Sequence, residues 1–325
     1  MSVSSVSKKV KGILREVTRS VVELDYPTNY RERSIDYVAI LKTRTKDKAH
    51  QPHSTGSVVV RVSPGRSSTI SNEVEEDLAK FADAIDGVPV VIDNELYDNI
   101  VFDYGKIFAT NERTLENIVK ERELIALYRR NELYVALNIK LIEREVSRGG
   151  LRLSEISDAL GLSKKSVESC LKGLGLISID KAEKLLSEYS SDMILSIGYD
   201  ILREIFKKKS SPPQGINREI GSETLVYDLK KTAVDLVVRE LPPEKSLSLK
   251  FYVDFNKTQS VKYVKTKIIN ASRLAREFNA DLEVIVPDYT SLELVKKEVE
   301  SEIGEELSSH IKFSSQSRAH IFRRS

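Results

Sequence analysis

The sequence predicts a fold of mixed class, α/β plus all-α. An α/β domain occupies residues 1–124, a hairpin and helical bundle 125–207, a linker 208–216 and a second α/β domain 217–325. Three observations predict this. The chain has 325 residues, more than one hydrophobic core usually organises. Its apolar spacing changes from mixed strand and helix patterns to continuous helical patterns at about residue 138, and holds them to about 207. Lys207-Lys208-Lys209-Ser210-Ser211-Pro212-Pro213-Gln214-Gly215 then interrupts all periodicity with charge, proline and glycine, which cannot support a packed element.

The first domain opens on an amphipathic helix over 5–22, with Val10, Ile13, Leu14 and Val17 at helical spacing. Two β-like runs follow, Ile35–Leu41 and Ser57–Val62, separated by a polar insertion, Lys42–Gly56. Asn72 to Ala84 reads as a helix and Val88–Ile92 as a buried strand. Ile100–Phe102 and Ile107–Ala109 read as short edge strands, and Thr114 to about Glu121 as a further helix. Helix, two strands, helix and strand in that order imply one α/β layer domain. Ile125–Arg129 and Leu133–Leu137 flank Arg130-Asn131-Glu132 as a hairpin. Asn138 has the chemistry to cap a helix that runs to about Ser147, where Gly149-Gly150 stops it.

Beyond the linker the first domain echoes. Ala233–Val238 echoes Ser34–Ala39, Ser248–Phe255 echoes Ser57–Val62, Lys262–Phe278 echoes Asn72–Ala84, and Asp281–Asp288 echoes Gly87–Asp93. Matching order and strand starts read as a divergent duplication, although two unrelated α/β segments would share much of this pattern.

The segment Leu151–Gly173 carries the most specific pattern in the chain. Ile156 and Leu160 share one face of a short helix, with Ala159 small enough for close helix approach. Gly161 falls where a tight interhelical turn requires positive φ. Leu162 plugs the space between the helices, Ser163 caps the next one, and Val167 and Leu171 point inward from it. The outer face is then polar: Lys164, Lys165, Ser166, Glu168, Ser169 and Lys172. Such a helix fits a major groove, its first residues meeting base edges and its lysines phosphates. The alternative is a short-helix bundle with a solvated face.

These residues resemble the helix-turn-helix of the Cro and phage-repressor class. More closely, residues 85–205 resemble archaeal transcriptional regulators that carry this module, with Ile177–Leu186 matching the helix that closes their small core. The resemblance implies sequence-specific regulation of transcription. One departure stands out: Arg152 occupies a position where that family often has a capping Ser or Thr, and a guanidinium cannot accept a backbone hydrogen bond. Either the helix starts near Ser154 or Arg152 contacts phosphate.

The first domain also resembles restriction-endonuclease-like and Holliday-junction-resolvase-like folds, and so reads as a degenerate nuclease-like domain. Those enzymes place an Asp at one strand start and Glu-x-Lys on the next strand, the carboxylates binding Mg²⁺. Asp36 matches the first element, but Val59 and Arg61 stand where the glutamate and lysine belong. The C-terminal echo keeps Asp235, yet Leu247–Tyr252 has no Glu-x-Lys, and Asp254 is a weak substitute. With one carboxylate per domain, the expectation is no enzyme, no catalytic residue, no bound metal and no cofactor, the alternatives being a Mg²⁺-dependent structure-specific DNA nuclease and an assembly protein whose helical module binds protein. Arg61 and Arg66 beside a Ser-Pro-Gly turn suggest a DNA-facing surface instead. Arg129-Arg130 and the tail residues Arg318, Arg323 and Arg324 are further candidates for phosphate contact, or solvated charges.

Composition narrows the remainder. A net charge of +2 leaves any attraction to nucleic acid to local patches. One cysteine, Cys170, excludes an intrachain disulfide and a cysteine-cluster metal site, and the four histidines are scattered, with His50 and His53 in a polar loop. No apolar run has membrane-spanning length, so a cytoplasmic location is expected. The expected partner is double-stranded DNA. The expected contacts are Arg152, Ser163, Lys164, Lys165, Ser166, Glu168, Ser169 and Lys172. A homodimer is expected through an α/β domain, because one short helix reads few base pairs.

Overall fold

The computed structural model describes residues 3–42, 56–63, 70–120, 123–209, 216–219, 222–241, 248–255, 261–286, 289–308 and 311–314. Most of the insertion 42–56, including His50 and His53, lies outside them, as do Arg66, linker residues 210–215 and the three tail arginines.

In chain order the first elements are α1 (Val3–Val17), β1 (Thr18–Glu23), β2 (Tyr37–Leu41), β3 (Ser57–Val62), α2 (Asn72–Ala84) and β4 (Gly87–Ile92). Then come β5 (Ile100–Asp103), β6 (Phe108–Thr110), α3 (Glu112–Lys120), β7 (Ala126–Arg129) and β8 (Glu132–Leu137). The helical stretch holds α4 (Ile139–Ser147), α5 (Leu153–Leu160), α6 (Lys164–Lys172), β9 (Leu176–Ser178), α7 (Ile179–Glu188), β10 (Ile194–Leu195) and α8 (Tyr199–Lys209). The last elements are β11 (Ile216–Glu219), β12 (Ser222–Asp228), β13 (Leu236–Leu241), β14 (Ser248–Asp254), α9 (Val261–Phe278), β15 (Asp281–Ile285), α10 (Tyr289–Ser308) and β16 (Ile311–Ser314). The chain divides into two compact units. One comprises Met1–Pro64, Ser68–Pro89 and Ser211–Ser325, and the other Gly65–Ser67 and Val90–Ser210. The boundary falls within β4.

In the first unit, α1 buries Val6, Val10, Ile13 and Leu14, the three-and-four spacing that one buried helical face requires. The helix ends five residues sooner than its sequence suggested. Thr18 turns back, its hydroxyl donating to the Leu14 carbonyl at 2.6 Å, and β-branched Val21 and Val22 continue as β1. Strands β1, β2 and β3 pair antiparallel in succession. Every residue of β3 is buried, so its unbroken valines reflect a strand covered on both faces. Ser71 caps α2, accepting from Val74 N, and the helix buries Val74, Leu78, Phe81 and Ala82. A Cβ at Gly87 would lie 2.9 Å from the Ser57 carbonyl oxygen, so the start of β4 needs the missing side chain. From residue 216 the same unit continues with a second run of strands and helices. Strands β11 to β14 pair antiparallel, α9 follows, and β15 and β16 add in parallel. Within this unit α2 packs on β12 and β13, and α9 on β1 and β14.

In the second unit, residues 90–92 pair parallel with β6, β6 antiparallel with β5, and β5 parallel with β7. The hairpin β7–β8 has a two-residue turn rather than the expected three. Arg130 and Asn131 both adopt positive φ, at 53° and 64°, and Glu132 already pairs with Arg129. Two successive left-handed residues give the turn whose twist matches a hairpin. Strand β8 also pairs with β9 and β10, which ties the helical stretch to the sheet on either side of α7. No helix among the described residues is long and apolar enough to cross a membrane.

Candidate nucleic-acid interface

The helical stretch packs on a core of its own. Ile142, Leu151, Ile156, Ala159, Leu160, Val167, Ile177, Ala182 and Leu185 are all buried and cluster with Val135 and Leu137 of β8. Asn138 caps α4, accepting from Leu141 N at 3.2 Å, and Gly149 at φ 72° ends it. Helix α5 starts at Leu153 with Arg152 in the capping position. The guanidinium satisfies no backbone donor there; the Glu155 carboxylate reaches back to accept from Arg152 N at 2.8 Å instead. That is one arm of a capping box, and it explains why a helix can begin behind an arginine. The Arg152 side chain is left exposed.

The α5–α6 turn follows from three residues. Gly161 adopts φ 59° and ψ 38°, and the Leu162 N–H donates to the Ser157 carbonyl at 2.9 Å, closing α5. Leu162 is half-buried against the core, as its predicted plugging role requires. Ser163 then caps α6, its Oγ accepting from Ser166 N at 3.1 Å. The Ser166 hydroxyl lies 2.8 Å from that same Oγ, so both serines stand at the helix entrance.

From α6 only Val167 is fully buried, with Cys170 and Leu171 partly so. Burial pushes the Cys170 thiol pKa up and the nearby Lys181 charge opposes it. Lys164, Lys165, Glu168, Ser169 and Lys172 are exposed, as are Ser163 and Ser166. Seven of the eight candidate contacts therefore share one short helix and its cap, while Arg152 stands at the start of the preceding helix. Three lysines against one glutamate leave that face basic, and the free N–H groups of a helix start favour an anion. The hairpin arginines divide. Arg129 Nε lies 3.4 Å from the buried Asp103 carboxylate, which also pairs with Lys209, whereas Arg130 at the tip is exposed.

The carboxylates of the first unit have different surroundings. Asp36 is buried and accepts from Arg61 Nη1 at 2.8 Å, from Arg33 Nη1 at 3.2 Å and from the Val62 N–H at 2.7 Å. Arg61 is itself buried and also donates to the Tyr30 carbonyl. Asp235 meets a cation of another origin: Lys267 of α9 places Nζ 2.5 and 2.6 Å from its two oxygens, and Asp254 N donates to it at 2.7 Å. The sequence placed Arg61 on the strand beside Asp36 but gave no sign of Arg33 or Lys267 as partners. A divalent cation of the kind nuclease folds use needs several oxygen donors. No group of three His, Cys, Asp or Glu side chains suited to a metal exists among the described residues, and the Asp36 oxygens already face two guanidinium groups. The residues at Asp36 do not fit such an ion. The predicted role of Arg61 as a DNA-facing charge is likewise corrected, since it is buried in this ion pair.

Residues 5–125 match the PD-(D/E)XK superfamily domain. Over nearly the whole chain the protein is similar to proteins named "Putative HTH-type transcriptional regulatory protein" from three archaea. The relative from Sulfurisphaera tokodaii is 24% identical across 91% of this chain and 95% of its own length. That from Sulfolobus acidocaldarius is 24% identical across 89% and 92%. The one from Saccharolobus solfataricus is 23% identical across 86% of each. No solved structure matches. The expectation of no enzyme is corrected by the superfamily match, which points to a nuclease-type domain. That expectation rested on a few strand positions, Val59 and Arg61 in the first domain and Leu247–Tyr252 in the second, whereas the match spans residues 5–125.

Proposed function

We propose that the protein is a DNA-binding regulator of transcription, acting through a Cro/repressor-type helix-turn-helix formed by α5 and α6. The observation that carries this reading is the division of α6 into two faces. Val167 is buried, while Lys164, Lys165, Glu168, Ser169 and Lys172 are all exposed behind a serine-capped start. Names of relatives that match nearly the full chain support it. In this reading Ser163, Ser166 and Arg152 meet the phosphate backbone, the lysines add charge contacts, and Ser169 and Glu168 face base edges. The regulator acts as a homodimer on paired half-sites.

The test is duplex binding by the Lys164→Ala/Lys165→Ala/Lys172→Ala variant. All three side chains are exposed, so the fold should be unaffected. If each contacts one phosphate, the slope of log affinity against log salt falls by about 2.7, and affinity drops at least about tenfold at low salt. Unchanged affinity and slope would refute the assignment. Ser169→Ala is expected to shift the preferred sequence among selected genomic fragments rather than weaken all of them equally.

A second reading, a nuclease acting on DNA, is favoured by the superfamily match over residues 5–125. Cleavage of branched and linear DNA in the presence of Mg²⁺, compared with the Asp36→Ala and Asp235→Ala variants, tests it. Mg²⁺-dependent cleavage by the parent protein that is lost in a variant shown by circular dichroism to remain folded would establish it, and no cleavage by the parent protein would reject it for those substrates.

A further inference from the structure

We infer that the C-terminal α/β half is a second copy of the N-terminal half, and that the two copies pair with each other inside one chain through a reciprocal helix-to-loop contact. The inference is independent of the DNA-binding reading.

Two sets of hydrogen bonds carry it. Within each half the same backbone frame recurs. Leu24 N donates to the Asp36 carbonyl at 2.9 Å, and Leu229 N to the Asp235 carbonyl at 2.9 Å. Asp36 N donates to the Val60 carbonyl, and Asp235 N to the Tyr252 carbonyl, each at 2.9 Å. Two residues further along those strands, Val62 N donates to Asp36 Oδ2 and Asp254 N to Asp235 Oδ2, each at 2.7 Å. The cations on the two aspartates do not recur in this way: Arg61 and Arg33 meet Asp36, whereas Lys267 of α9 meets Asp235.

Between the halves the contacts exchange. From α2 of the first half, Asp77 accepts from Lys230 N at 3.1 and 3.0 Å and from Lys231 N, at the loop after Leu229 of the second. From α9 of the second half, Asn270 Oδ1 accepts from Asp25 N at 3.0 Å, at the residue after Leu24 of the first. Counting from these frames, Asp77 lies fifteen residues after Val62 and Asn270 sixteen after Asp254, so the two positions agree to within one residue. Both are buried, Asp77 at 2% and Asn270 at 1% exposure. Two unrelated α/β segments would share strand order, but nothing would make each helix satisfy the same loop N–H of the other. Burial pushes the Asp77 pKa up and the donated hydrogen bonds oppose the rise, as for a carboxylate sealed in an interface.

The consequence concerns assembly. The face through which one such half would bind a second copy of itself is filled by the chain's own other half. A homodimer of the whole protein must therefore use a surface other than this face.

Cysteine pairs placed on the two contacts test this in the full-length chain, in a Cys170→Ser background. One variant carries Asp25→Cys and Asn270→Cys, the other Asp77→Cys and Lys230→Cys. Under mild oxidation both are expected to lose free thiol and to migrate faster as monomers on a non-reducing gel, reverting on reduction. Covalent dimers would show that the partner half comes from a second chain. Closure of one pair alone, or of neither, would show that the contact is not reciprocal. Each of these results overturns the inference.

Discussion

Asp36→Ala is expected to cost the first unit about 3–5 kcal/mol, read as a lower urea midpoint, because the substitution leaves a buried guanidinium without its counter-ion. The Arg61 side chain is 4% exposed and its Nη1 donates to Asp36 at 2.8 Å, so water cannot replace the lost carboxylate. Arg33 and the Val62 N–H lose the same acceptor. Adding Arg61→Met to Asp36→Ala should recover much of the loss, since replacing a whole buried pair with apolar groups is often near neutral. A carboxylate held only for metal binding behaves in the opposite way, because its removal relieves buried charge. A rise in stability for Asp36→Ala would overturn the structural role assigned here and strengthen the nuclease reading of that residue.

The parts of the fold that sequence exposed most clearly are those whose burial is one-sided or complete. Ser57–Val62 and Asn72–Ala84 match β3 and α2 residue for residue, because continuous valines and a capped amphipathic run each admit one interpretation. Strand β1 was hidden, since Val21 and Val22 prolong the helical spacing of Val10, Ile13, Leu14 and Val17; tertiary pairing with β2 decides between the two. Strand β12 was hidden for a related reason: Ser222–Asp228 bunches Leu225, Val226 and Tyr227 without alternation and pairs with neighbours on both sides that no local pattern announces.

The candidate site was legible in its geometry and not in its surroundings. Gly161, Leu162, Ser163 and Val167 occupy the conformations and burial their spacing required. Glu155 completing the cap behind Arg152 is equally readable, as a glutamate three residues after the capping position. What could not be read are partners joined across long separations. Lys267 finds Asp235 from 32 residues away, and Asn270 finds Asp25 from 245. Single polar residues on a helix carry no mark of what they will face. The inferred duplication, by contrast, rests on an echo in strand order that the sequence displays, and the paired hydrogen bonds are what give that echo physical content.

Leu160→Ala tests whether the small helical core is what aims α6. Leu160 is 1% exposed at the end of α5, directly before the Gly161 turn, and packs in the cluster that contains Val167. Truncation removes buried methyl groups and leaves a cavity at the joint between the helices, an expected loss of about 2–5 kcal/mol in the stability of that region. The DNA consequence is separable from the stability loss. At a temperature where far-UV circular dichroism shows the variant still folded, duplex affinity should fall together with sequence discrimination, because base contacts tolerate less displacement of a helix than phosphate contacts do. The lysine triple variant predicts the reverse, a lower salt slope with discrimination kept. If Leu160→Ala weakens the fold yet leaves both affinity and discrimination intact, α6 does not depend on this core for its placement, and the groove-reading role must pass to another surface of the unit.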